Sequence, residues 1–171
     1  MHFIDYIPAI KGKDKWLTGN GKETNFFLKE TKCKHCDAND YAMEFIDKLQ
    51  ELREAYDNPI KILSGCRCKY YNDLIGGSKT SAHIPDPLAR AADIYVPERD
   101  IKKVYMLAIS YNFNGIGLYL SGHGTKFLHI DLKKRKTSPL YWKKLPYSWY
   151  KYTTDPIKNY IEYEKEAKEY G

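Results

Sequence analysis

Three places in the chain hold side chains suited to a metal: His83 in Ser81-Ala82-His83, Asp93 in Ala91-Ala92-Asp93-Ile94, and His129 with Asp131 in Phe127-Leu128-His129-Ile130-Asp131. Two imidazoles and a carboxylate leave the fourth position of tetrahedral Zn²⁺ open to water, the arrangement of a hydrolytic centre. Each place alone says little, because a single histidine followed by polar residues is an ordinary loop histidine. His129 and Asp131 say more together. On a strand, side chains two residues apart share a face, and an acid beside an imidazole in an apolar strand is costly to bury unpaired.

The four cysteines form two pairs, Cys33-x-x-Cys36 and Cys66-x-Cys68. They are too few for a disulfide scaffold at this length. The first pair lies just before a helical run and the second just after the strand that follows it, so the fold could gather all four as a structural Zn²⁺ site. The first spacing suits a metal and the second is tight for one; reduced thiols and a disulfide remain the other readings.

The elements that must position these residues follow from periodicity. Ala42, Phe45, Ile46, Leu49, Leu52 and Tyr56 recur at helical spacing, with Asp37 or Asn39 as N-cap and Asp57-Asn58-Pro59 as the stop. A short strand is expected over 60–63 and a short helix over 69–75, ended by Gly76-Gly77. A strand over 92–96 precedes a second long helix from about Glu98. Residues 115–120 and 126–132 then read as two apolar strands around Ser121-Gly122-His123-Gly124-Thr125, a hairpin pattern. Residues 1–30 show no clear period and are expected to be an irregular arm with at most a short strand. The predicted class is α+β, a small and mostly antiparallel sheet with flanking helices. The division expected is 1–132 for the motif-bearing domain with its arm, and 133–171 for a basic, aromatic appendage ending in a helix from Pro156.

At 171 residues and 20.0 kDa, one domain with a single core is expected rather than a long multidomain architecture. The net charge of +6 favours acidic partners without choosing among nucleic acid, anionic wall polymer and membrane surface. No apolar run reaches the roughly 18 residues of a membrane helix. The start Met1-His2-Phe3-Ile4-Asp5 lacks a basic region followed by an apolar stretch, so cytoplasmic synthesis without a signal peptide is expected. Between Lys133 and Tyr152 lie seven basic residues and no acid, interleaved with Tyr and Trp. That stretch could hold a polyanionic or sugar-bearing surface, or be solvated charge with its aromatic rings packed on the core.

The ordered motifs Ser64-Gly65-Cys66-Arg67-Cys68, Asn72, Gly76-Gly77, Ser81-Ala82-His83, Ala91-Ala92-Asp93-Ile94, Gly115-Ile116-Gly117-Leu118-Tyr119 and Phe127-Leu128-His129-Ile130-Asp131 resemble the D-alanyl-D-alanine carboxypeptidase family of zinc peptidases, in its small single-domain bacterial and phage branch. The resemblance runs from about Phe26 to Leu132. It implies the fold shared with the hedgehog signalling domain and lysostaphin-type peptidases, and hydrolysis of a peptide bond in peptidoglycan stem peptides by a monomer, after release or as a virion component. It places His83, Asp93 and His129 on the zinc ligands, Arg67 on the arginine that receives a substrate carboxylate, and Ser81 on a substrate-binding or ligand-supporting serine.

Two departures stand out. His83 and Asp93 are ten positions apart, against seven in the family pattern, which makes Asp86 in the longer loop a rival ligand. The family's acid or histidine ahead of the last ligand is replaced by Lys126 and Phe127. Asp131 is then the first candidate for general base or orienting group, with His123 behind it, and the roles of His129 and Asp131 could be exchanged. The missing base keeps open a nonenzymatic, metal-containing wall-binding module. A nucleic-acid-binding protein ranks last, because it leaves His83, Asp93 and His129 unexplained.

Overall fold

The N-terminal segment is more regular than its composition suggests. In the computed structural model, which describes residues 7–170, β1 (Ile10–Lys11), β2 (Lys15–Leu17) and β3 (Glu23–Phe27) form a three-stranded antiparallel sheet. Strand β3 alternates exposed and buried residues, but one of its two inward positions is Thr24 rather than an apolar residue. That substitution hides the period-two pattern from a hydropathy reading. Residues 1–6, part of the expected arm, and Gly171 at the end of the expected last helix lie outside the described residues.

A single turn, α1 (Leu28–Thr31), leads to α2 (Met43–Tyr56). The N-cap of α2 is Ala42, not Asp37 or Asn39. Asn39 is spent elsewhere: its amide donates to the Leu28 carbonyl at 2.9 Å, and its oxygen accepts from the Thr31 hydroxyl at 3.0 Å. At the other end Asp57, in the left-handed region at φ 57°, sends its N–H back to Arg53 and Glu54, closing the helix where expected. The inward face of α2 carries Phe45, Ile46, Leu49 and Leu52, all fully buried, each contributing roughly 1.5–3 kcal/mol by leaving water.

After β4 (Lys61–Ser64), α3 (Lys69–Leu74) and β5 (Ala91–Tyr95), a 3₁₀ turn at Glu98–Asp100 feeds α4 (Ile101–Ser110). Strands β6 (Gly115–Leu120), β7 (Lys126–Asp131), β8 (Leu140–Lys144) and β9 (Lys151–Thr153) follow, and α5 (Pro156–Ala167) ends the fold. The main sheet runs β4-β5-β7-β6-β8-β9, antiparallel except for the parallel β6–β8 pair. The class is α+β, as expected. Ala92, Ile94, Leu128, Ile130, Ile116 and Leu118 join the core that includes residues of α2, α4 and α5. The alternate residues face the other way and form the site.

Residues beyond 132 contribute two strands of this sheet and the helix over its core face. Part of their charge is used internally. Lys143, 2% exposed, places Nζ 2.7 Å from Glu162 and 2.9 Å from Glu166 of α5, and Lys151 reaches Glu166 at 3.0 Å. Asp155 caps α5 by accepting from the N–H groups of Ile157 and Lys158, with Pro156 at the first helical position. Among the described residues no helix is long and apolar enough to cross a membrane.

Candidate metal centre

The pairing register puts one row of the sheet to chemical use. Ser64 pairs with Asp93, Asp93 with His129, His129 with Gly117, Gly117 with Trp142, and Trp142 with Tyr152, so these residues line up across all six strands. The row two residues further along places Ala91 opposite Asp131, and Asp131 opposite Gly115. Because alternate side chains share a face, both rows open on the same side.

His83 joins this face from the loop between α3 and β5. That loop is pinned where it matters: the Arg67 N–H donates to the His83 carbonyl at 2.9 Å, and the Arg90 N–H donates to the Ala82 carbonyl at 2.8 Å. Asn72 holds the loop's start by donating from its amide to the Ser78 carbonyl at 2.9 Å.

Three donor atoms converge. His83 Nε2 lies 3.2 Å from His129 Nδ1 and 3.3 Å from Asp93 Oδ1, and His129 Nδ1 lies 2.9 Å from the same oxygen. The remaining imidazole nitrogens both have acceptors. His83 Nδ1 faces the Gly65 carbonyl at 2.7 Å, and His129 Nε2 faces Asp131 Oδ2 at 2.9 Å. An acceptor behind each ring can hold the N–H of the neutral imidazole, so that the other nitrogen faces the shared point with its lone pair once a metal displaces the proton, as metal-bound histidines require. Two nitrogens and one carboxylate oxygen, each buried and oriented, fit Zn²⁺ with a position left for water or substrate.

The charges reinforce one another. Burial by itself would raise the Asp93 carboxyl, but the facing imidazoles outweigh it and hold it well below the ordinary carboxylate range. Burial pushes the His83 imidazole down. It would do the same to His129, but the Asp131 and Asp93 carboxylates bring that ring up to about 9. Asp131 is also drawn below its ordinary value, against its burial, by Arg135 and His129.

The sequence-predicted residues divide clearly. His83, Asp93 and His129 come together, and Arg67 stands beside them with Nη2 on Asp93 Oδ2 and Nε donating to Ser64 Oγ at 2.9 Å. Ser81 lines the same cleft and accepts the His83 N–H at 3.3 Å. Asp131 is fully buried, and Arg135 grips both its oxygens at 2.8 and 2.6 Å while the Lys133 N–H adds 2.8 Å to Oδ1. Its geometry is that of a group that orients His129. Asp86 faces a separate cavity with Lys69 and Lys79, and His123 sits exposed in the β6–β7 turn, so neither joins the centre. Of the cysteines, Cys33, Cys36 and Cys68 gather and Cys66 does not.

Several residues of the site lie in the stretch expected as an appendage. Two of them bear on His129: Arg135, through Asp131, and Trp142, whose ring is 5.1 Å from that of His129 and whose Nε1–H donates to the Tyr119 hydroxyl at 2.9 Å. No local spacing points to either, since only the β6–β8 pairing brings Trp142 to His129. The cleft above them holds about 680 Å³.

Comparison with known protein families matches residues 22–131 to Peptidase M15. A search of curated proteins found no match. The matched span covers more than half of the chain and closes on Asp131, the carboxylate that sets His129, so the chain belongs to the Peptidase M15 family, whose members are zinc-dependent metallopeptidases.

Proposed function

We propose that this chain hydrolyses a peptide bond in peptidoglycan stem peptides, as a D-Ala-D-Ala carboxypeptidase-like or L-Ala-D-Glu endopeptidase-like enzyme, with a phage lysis or virion role as its setting. The observation that carries the reading is the convergence of His83, Asp93 and His129 beside the Arg67 guanidinium at the floor of one cleft.

His83, Asp93 and His129 would hold Zn²⁺, which would supply Lewis acidity for the scissile carbonyl and for water. The chain's own groups do the rest. Arg67 offers a planar fork of donors to a substrate carboxylate, and its pairing with Asp93 keeps that fork aimed at the reacting end of the cleft. Asp131 keeps the Nε2–H of His129 engaged, so Nδ1 stays turned inward. Along the opposite wall, Tyr119 stacks on Phe127 at 4.8 Å and Tyr150 on Tyr152 at 6.0 Å. These flat faces suit the backbone and sugar-bearing flanks of an extended wall fragment.

The runner-up is a nonenzymatic, metal-containing wall-binding module on the same fold. It is favoured by one observation: among the described residues lining the cleft the only acids are Asp93 and Asp131, both already committed. Lys126 is paired with Glu98 and Phe127 is stacked, so neither replaces the missing proton acceptor. Mass spectrometry of purified muropeptides incubated with the zinc-loaded chain separates the readings. Cleavage that disappears in His83→Ala supports the enzyme and identifies the bond; retained zinc and wall binding without any cleavage support the module.

A further inference from the structure

We propose that Cys33, Cys36 and Cys68, with His35 as fourth donor, form a second zinc site that is structural and ties the segment after α1 to the loop carrying Arg67. The three sulfurs lie within 4.8 Å of one another, and His35 Nδ1 is 3.5 Å from Cys68 Sγ. Three thiolates, with the neighbouring imidazole drawn in as the fourth donor, would complete a tetrahedral shell with no place for water, which is the mark of a structural rather than a catalytic zinc.

The backbone around the sulfurs is arranged for anions. The Cys68 N–H points to Cys33 Sγ at 3.3 Å, and the N–H groups of His35 and Cys36 turn toward the same sulfur. The Tyr71 N–H points to Cys68 Sγ at 3.4 Å, capping α3, and the Ala38 N–H faces the Cys36 sulfur. A neutral thiol is a weak acceptor, so this convergence of donors gains most when the sulfurs are thiolates. The Asp37 N–H returns to the Cys33 carbonyl at 3.2 Å and closes the turn that holds Cys33 and Cys36, and the φ of 60° at Asp37 carries the chain out of that turn.

Cys66 takes no part. It is 1% exposed and packs within the apolar core. The four donors proposed run from buried Cys33 through half-buried Cys68 to exposed Cys36 and His35, so an ion can enter from solvent. Binding releases to solvent the protons carried by the thiols, and no redox step is involved. Cys68 directly follows Arg67, whose N–H holds the His83 carbonyl, so a metal here would brace the loop that positions the first centre.

The test is metal stoichiometry and a cobalt spectrum of the full chain, purified under reducing conditions without chelator. The expected result is two zinc per chain, falling to one in His83→Ala, to one in Cys36→Ser, and to none in the double variant. Cobalt-loaded wild type should show thiolate-to-cobalt charge-transfer absorption, which the sulfur-free first centre cannot produce. That band should survive in Cys66→Ser, fade in Cys36→Ser, and be lost to chelator more readily in His35→Ala. A wild-type chain with a single zinc that His83→Ala removes, no thiolate band with cobalt, or retention of the band in Cys36→Ser would overturn the proposal. So would an intact mass two hydrogens light that assigns Cys36 to a disulfide in the purified chain. None of these readouts depends on whether the first centre hydrolyses peptides.

Discussion

His129 Nε2 lies 2.9 Å from Asp131 Oδ2, while Arg135 closes on the same carboxylate from the other side at 2.6 Å. This contact determines which nitrogen of His129 is left for a metal, and it spans only two residues of one strand. The arginine that stabilises it comes from outside the span matched to Peptidase M15.

Removing the carboxylate therefore weakens the centre without touching a ligand. Asp131→Asn should lower zinc affinity by roughly 10- to 100-fold, as loss of an outer-shell partner does. Asp131→Ala should also destabilise the fold by about 3–5 kcal/mol, because the Arg135 guanidinium loses its charge partner. Chelator competition and urea unfolding read the two effects separately, and unchanged zinc affinity in both variants would remove Asp131 from the site.

Gly115 makes a sharper probe, since it contributes no functional group. It pairs with Asp131 across the sheet, and a Cβ there would run into the Asp131 carboxylate and the Arg135 guanidinium. Gly115→Ala should reproduce the zinc-affinity loss of Asp131→Asn with every donor still present. Wild-type affinity in a folded Gly115→Ala chain would show that the close approach is unimportant.

In the metal-free chain, His129 is raised from 6.5 to about 9 because its two carboxylate neighbours outweigh burial. A folded value above the unfolded one means that this contribution to stability is full below about pH 6.5 and is lost as pH rises through about 9. A metal needs the neutral ring, so zinc uptake expels that proton and affinity should climb with pH over the same interval. Urea midpoints of the chelated protein and zinc affinities at both ends of the interval test this; a metal-free chain that gains stability across it through His129, as judged against His129→Gln, would contradict the assignment.

Arg67 makes a specificity prediction. If its fork receives a terminal carboxylate, Arg67→Lys should lower kcat/KM about 10- to 100-fold on peptides with a free C-terminus, the equivalent of losing a charged hydrogen bond. The same substitution should do much less on amidated peptides. Equal losses on both substrates would assign Arg67 to supporting Asp93 alone.

Lys143 tests the fate of the basic stretch. Buried against Glu162 and Glu166, it fastens α5 to β8. Lys143→Ala should cost roughly 1.5–3 kcal/mol from the lost charged hydrogen bonds, with Lys143→Met losing less because the packed stem is kept. Thermal and urea unfolding measure both.

Much of this protein was legible in its order of residues. Phe45, Leu49 and Leu52 recur at the helical period, Asp57 ends that helix, and the alternation in residues 126–131 puts His129 and Asp131 on one face, because local geometry alone dictates these relationships. The His83, Asp93 and His129 triad was readable through its motifs. Tertiary structure decided the rest. Pairing of β7 between β5 and β6 sets Asp93 and Gly117 on either side of His129, and the parallel β8 brings Trp142 into the same row. Folding also turned Arg135 and Lys143 from anonymous members of a basic run into partners of Asp131 and of Glu162 with Glu166, and separated Cys66 from the other three cysteines. Register and ion pairing join residues far apart in the chain, and their energies depend on burial and distance, neither of which a one-dimensional pattern contains.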